Sequence, residues 1–210
     1  MTGETNTMRT KTITYNIYQF NELDDTAKAK VRQMFLNDEV RNDEFCENCQ
    51  TYLKQHFPRS DLKPHYSLSS CQGDGFNIEG TVDFFDVFGE IKEKFTEEET
   101  NLLESYFNNS NPEFEFTANR RYGYSCKFID KKYIDDYVDT VAEALISWSI
   151  KANPQLLKKF FNEMLDYFEE LDKKFEKDGY NYLYNISDEE VEEICATNDY
   201  EFLKDGTLYY

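Results

Sequence analysis

The sequence predicts an α+β protein: a mostly antiparallel sheet built from β-hairpins, with packed helices that include a long C-terminal amphipathic one. Three observations predict this. Strand-like runs come in adjacent pairs around turn sequences, which favours antiparallel pairing. In the last third the apolar period changes from 2 to 3.6. Of 210 residues, 40% are hydrophobic and 17% aromatic, which is ample for a packed core and excludes a wholly disordered chain.

Residues 1–10 read as a flexible polar tail. From Thr12 to Phe20 the chain alternates, with Ile13, Tyr15 and Ile17 on one side and Asn16 and Tyr18 on the other, the period of a strand. Leu23-Asp24-Asp25 opens a helix toward Leu36, with Asp24 able to cap its first amides. A second helix is expected over Asp43–Phe57, where Phe45, Cys49, Tyr52, Leu53 and His56 recur at helical spacing until Pro58 ends it.

A hairpin follows. Pro64–Cys71 forms one arm, Asp74-Gly75 supplies the turn, and the second arm carries Phe76, Ile78, Val82 and Phe84 on one face. Thr96-Glu97-Glu98-Glu99 is a capping box that starts a helix to about Phe107. Beyond a loop at Asn108–Pro112, Phe114, Phe116 and Ala118 alternate, then Tyr122, Tyr124, Cys126 and Phe128, a second hairpin joined near Arg120-Arg121.

The helical period then takes over. Tyr137, Val138, Val141, Ala142, Leu145 and Trp148 mark one helix. Asn153-Pro154, an N-cap followed by proline at the first position, starts a long amphipathic one through Phe175. Ser187–Glu190 caps a third, with Ile186 against Val191 as a hydrophobic staple. Tyr200 and Phe202, Asp205-Gly206, then Leu208 and Tyr210 make a short terminal hairpin. The expected organisation is one domain over 11–210, within which 151–210 can form a helical subdomain.

Charge narrows the function. Lys+Arg is 23 against 42 Asp+Glu, a net charge of -19. Phosphate repels such a chain, which argues against direct nucleic-acid binding and against anionic membranes. The imbalance is uneven: residues 1–80 carry 9 bases and 12 acids, 81–150 carry 7 and 15, and 151–210 carry 7 and 15. The sharpest block is 178–210, with nine acids against Lys204. There Asp188, Glu189, Glu192 and Glu193 line the outer side of a helix whose inner side holds Val191 and Ile194. Carboxylates on adjacent helical turns lie about 5–6 Å apart, on the scale of phosphates along a DNA strand. A rigid acidic face can therefore occupy a basic groove built for nucleic acid, with the same steering and counterion release. A first-turn macrodipole preference and plain solubility explain the same acids without any partner.

Other constellations are thinner. Cys46-x-x-Cys49 invites zinc, but a tetrahedral site needs two more ligands from His56, His65 and Cys71. His65 and Cys71 lie six apart on one expected strand, roughly 20 Å, too far to share an ion. Both cysteines also fit a helix core as small apolar residues. Asp136, Asp139 and Glu143 share one helical stripe that joins the α7 acids as a candidate partner-binding surface and could hold Mg²⁺ for a hydrolase or nuclease; a solvated face is the favoured reading of such a stripe. Asp74 could act as a catalytic carboxylate, but an Asp in a turn is far more common. No serine-hydrolase, zincin, Walker or dinucleotide motif is present. The five cysteines are odd in number and unpatterned, and the polar N-terminus lacks an apolar stretch, which together predict a reduced protein of the cytoplasm.

Three stretches resemble a family of small phage and prophage accessory proteins. They are Tyr18-Gln19-Phe20-Asn21-Glu22-Leu23 with Ala27-Lys28, the hairpin motif Tyr66-Ser67-Leu68-Ser69-Ser70-Cys71-Gln72-Gly73-Asp74-Gly75, and the closing Tyr200-Glu201-Phe202…Asp205-Gly206-Thr207-Leu208-Tyr209. The resemblance implies action inside a bacterial host cell, and small acidic proteins of that origin resemble inhibitors of host defence, anti-CRISPR and anti-restriction proteins among them. It assigns no catalytic residue, and Cys46 and Cys49 are not part of its motifs. The expected function is thus a non-enzymatic inhibitor without a cofactor, binding a basic nucleic-acid-dependent protein such as a CRISPR effector nuclease and blocking nucleic-acid loading. Its rivals are a zinc-stabilised binding module with incidental charge and a metal-dependent hydrolase or nuclease.

Overall fold

The structure is a computed structural model that describes residues 11–36, 39–69, 74–108, 113–116, 134–147 and 149–209. Among them are seven α-helices and two small antiparallel sheets, the α+β class read from the sequence. The chain divides into two compact units. One is continuous, Val40–Leu183; the other is split, made of Met1–Glu39 and Tyr184–Tyr210.

In the split unit, Phe20–Glu22 forms a 3-10 turn and Asp25–Leu36 forms helix α1. The Asp24 carboxylate accepts the Ala27 N–H at 2.9 Å, the expected cap. The alternation of Thr12–Phe20 does not make a sheet strand. Only Tyr18 pairs, in a bridge to Phe202, and Ile13, Tyr15 and Ile17 stay exposed. Period-2 patterning requires a partner strand to become a sheet, and this one has a single paired residue among those described. Helix α7 (Asp188–Thr197) and the two-residue strands β4 (Glu201–Phe202) and β5 (Leu208–Tyr209) complete the unit. Its core is Phe20, Leu23, Ala27, Val31, Phe35, Val191, Cys195 and Phe202.

The continuous unit opens with α2 (Glu39–His56), which begins four residues before the expected Asp43. Strands β1 (Asp61–Ser67), β2 (Gly75–Asp83) and β3 (Glu113–Phe116) form one antiparallel sheet in that order. The β1–β2 hairpin is the predicted one, but Asp74-Gly75 is not its tight turn. Ser67 pairs with Gly75, so the connection runs over residues 68–74. Among the described residues of this hairpin the glycine at positive φ is Gly80, at +131°, inside β2. A Cβ there would lie 1.9 Å from the Asp61 carbonyl oxygen, so no other residue fits. The second arm of the second hairpin lies outside the described residues.

The Phe84 expected on a strand face instead starts helix α3 (Phe84–Ile91), because the Asp83 carboxylate accepts the Phe85 N–H at 2.8 Å and switches the chain into a helix. Helix α4 (Glu97–Phe107) carries the predicted capping box, Thr96 Oγ1 accepting from Glu99 N–H and Glu99 accepting from Thr96 N–H. Helix α5 spans Ile134–Ser147, and α6 spans Pro154–Tyr184, with Asn153 Oδ1 accepting the Leu156 N–H at 3.2 Å. The apolar stripe of α6 is buried from Leu156 to Phe175 and packs rings against the rest: Phe160 against Phe84 at 5.0 Å, Phe168 against Phe57 at 5.4 Å, Phe175 against Phe76 at 5.0 Å. Gly179 lets the helix approach closely, since a Cβ there would sit 2.4 Å from Leu68 Cδ1 and 2.8 Å from Phe45 Cζ.

Candidate functional site: an acidic cleft and helix face

Helix α7 starts where the sequence says it should. Ser187 Oγ accepts the Glu190 N–H at 3.1 Å, and three acids occupy the first turn, where the helix dipole favours them. Val191 and Cys195 face the core, which turns the carboxylates away from it. Glu189, Glu192 and Glu193 are exposed. Asp188 is half-buried and pairs with Arg32 of α1. Glu192 accepts a hydrogen bond from Asn21 Nδ2 at 2.9 Å. Glu189 and Glu193, one turn apart, thus present charge outward, while Asp188 and Glu192 also tie α7 to the N-terminal segment.

Beside the helix lies a cleft of about 520 Å³. Phe20 and Cys195 form its buried part, with Ala196 and Tyr200 alongside. Gln19 and Asn21, which are polar, and Glu192, Asp199 and Glu201, which are acidic, complete its lining. No lysine or arginine is among its lining residues. Asp199 adopts a left-handed backbone, φ 52°, which aspartate tolerates better than most residues. The Tyr200 N–H then returns to the Cys195 carbonyl at 2.9 Å, turning the chain from α7 into β4. Burial, reinforced by Glu192, pushes the Cys195 thiol up to about 11, so it stays protonated and serves as core. Three carboxylates over an apolar base suit an ammonium or guanidinium group rather than proton transfer.

The other predicted residues lie in the continuous unit. Asp136, Asp139 and Glu143 form an exposed stripe on α5, while the neighbouring Asp135 pairs with Lys158 at 2.5 Å. The two acidic stripes therefore belong to different units. Cys46 and Cys49 sit one turn apart on α2. Cys49 is core, and burial, with Cys46 next, pushes its thiol up to about 12. The histidines are engaged elsewhere, His56 with Glu90 at 3.0 Å and His65 with Glu79 at 3.1 Å. Among the described residues no group of three or more His, Cys, Asp or Glu could hold a metal ion. Asp74 accepts hydrogen bonds from Ser67, Ser69 and Tyr180, which fastens the β1–β2 connection to α6. Cys71, Cys126 and Arg120-Arg121 lie outside the described residues.

The cleft itself was not legible in the sequence, because its walls come from Gln19–Asn21 and Glu192–Glu201 and only folding joins them. Among the described residues no helix is long and apolar enough to cross a membrane. No protein-family model, curated protein or solved structure matches the chain.

Proposed function

We propose that this protein is a non-enzymatic inhibitor that binds a basic nucleic-acid-binding surface of another protein and keeps the polynucleotide out. The observation that carries this reading is a cleft in the split unit whose charged lining residues are all acidic, beside the outward acids of α7. The outward acids of α7, Glu189 and Glu193, adjoin a cleft whose charged lining is carboxylate only, Glu192, Asp199 and Glu201. The helix face offers carboxylates at a spacing of about 5–6 Å for a row of lysines or arginines. The cleft offers a partly desolvated pocket for one of them, where a charge-assisted pair is stronger than in open water. Attraction between this face and a basic groove speeds encounter and displaces the groove's own counterions.

The phage-type motifs at Tyr18–Leu23, Tyr66–Gly75 and Tyr200–Tyr209 favour a bacterial defence protein as the target, with a CRISPR effector nuclease as the leading candidate. Titrating the purified protein into such an effector, with labelled guide or target DNA as competitor and salt as the variable, tests the reading. The expected outcome is a complex that excludes the nucleic acid and weakens steeply with salt. No complex at low salt with any basic nucleic-acid-binding effector overturns it.

A further inference from the structure

The segment left without a sheet in the split unit has a chemistry of its own. Ile13, Tyr15 and Ile17 are 55%, 53% and 43% exposed, and they alternate in a run, Thr12–Tyr18, made of Ile, Thr, Tyr and one Asn. These residue types favour strands, and neither proline nor charge interrupts them. Among the described residues the run's backbone hydrogen bonds are the two at its end, Tyr18 N–H to the Phe202 carbonyl and Phe202 N–H to the Tyr18 carbonyl, each 2.8 Å. Both Tyr18 groups point to β4. In a strand continuing back from Tyr18, the N–H and C=O groups of Ile17, Tyr15 and Ile13 turn to the opposite, open edge. The Tyr15 ring rests 6.0 Å from Tyr209.

We propose that residues 12–18 are a self-pairing strand through which two copies of this chain associate about a two-fold axis at Tyr15. The run is its own complement. Read in either direction it presents Ile, Tyr, Ile at every second position. An antiparallel pair centred on Tyr15 therefore sets Tyr15 opposite the second copy's Tyr15, and Ile13 opposite Ile17 twice. Aromatic and β-branched residues in such cross-strand positions are favourable pairs. Charge selects the same place. Two chains of net charge -19 repel. From Thr12 to Asn21 there is no charged side chain, so contact there meets the least repulsion. A two-fold axis also closes the assembly, so the open edge ends at two copies instead of propagating. Two seven-residue strands make a small interface, below the usual 1,200 Å² or so of stable complexes, and the association is correspondingly weak. This inference is independent of the acidic site.

Sedimentation velocity from about 10 to about 500 μM, a range set by that small interface, tests it. The mass is expected to move from one chain toward two. Tyr15→Lys and Tyr15→Glu place like charges opposite each other and are each expected to stay monomeric, whereas an equimolar mixture pairs Lys with Glu and is expected to recover the dimer. The register is tested separately: Ile13→Lys with Ile17→Lys abolishes pairing, while Ile13→Glu with Ile17→Lys retains it. Circular dichroism checks that each variant keeps the fold. A chain that stays single at every concentration overturns the proposal. So does a dimer unaffected by Tyr15→Lys, or a charge-swapped mixture that stays monomeric.

Discussion

The two units hold themselves together by different means. Among the described residues the continuous unit buries thirty apolar side chains in one cluster, much of it aromatic, with Phe84 against Phe88, Phe107 and Phe160. The split unit, among its described residues, buries eight and adds polar clips: Arg32 to Asp188, Lys30 to Asp205 at 3.1 Å, and Asn21 to Glu192 at 2.9 Å. Charge is arranged differently too. On α6 lysines answer acids at one-turn spacing, Lys173 to Glu169 and Lys174 to Asp178. Residues 184–210 carry eight acids against Lys204 alone. The cations that answer some of them come from α1. Acidic surface thus accumulates where the core is smallest, and cross-chain ion pairs offset part of the self-repulsion that results.

The strongest test of this contrast is in the sheet of the continuous unit. Gly80→Ala forces a Cβ into the Asp61 carbonyl at a φ that L-residues avoid, and is expected to cost the continuous unit about 3–5 kcal/mol, read as a lowered denaturant midpoint. An unchanged midpoint would mean that the β1–β2 register is not as described. Phe202→Ala removes a fully buried ring from the eight-residue core, for a loss of about 3–4 kcal/mol. Hydrogen exchange should then rise over residues 18–36 and 188–209 while 40–183 keeps its protection. Loss of protection in both together would make the two units one cooperative body.

Smaller effects sharpen the electrostatic side. Glu189→Lys with Glu193→Lys should weaken target binding about tenfold or more and flatten its salt dependence, with stability changed by less than about 0.5 kcal/mol. Reversing Asp136, Asp139 and Glu143 on α5 should do neither. If the α5 variant is the one that loses binding, the contact surface belongs to the continuous unit.

The smallest effect concerns acid. Hydrogen bonds from the Thr207 hydroxyl and N–H, with help from Lys30, hold the Asp205 carboxyl at about 2, below its usual 3.8. A depressed carboxylate contributes its stability above the unfolded value and loses it as pH falls toward the folded one. Asp205→Asn should therefore lower stability near neutral pH and flatten the decline between about pH 4 and pH 2. A parallel decline in both proteins would remove this group from the account.

Helix starts were the most legible part of the fold, because Asp24, Thr96, Asn153 and Ser187 each cap by a bond between near neighbours in the sequence. Helix α3 was not legible: its Phe-Phe-Asp-Val-Phe run continues the apolar character of β2, and only the Asp83 cap marks the change of period. The Thr12–Phe20 run misled for the opposite reason, since its pattern is that of a strand while the pairing depends on residues far along the chain. Of the candidate site, the α7 acids could be read from composition and helical spacing. Asn21, Asp199 and Tyr200 could not be assigned to it, because their meeting depends on how α1 and α7 pack.

The split unit has one more consequence, for the order of assembly. Phe20, Val31 and Phe35 leave the ribosome early, but the partners that cover them, Val191, Cys195 and Phe202, follow only after all of Val40–Leu183 has been synthesised. Domains that close such long loops fold late and expose apolar surface while they wait. The acidic face of α7 thus becomes available last, and a nascent chain stalled before residue 188 would carry an aromatic core and no means of engaging a target.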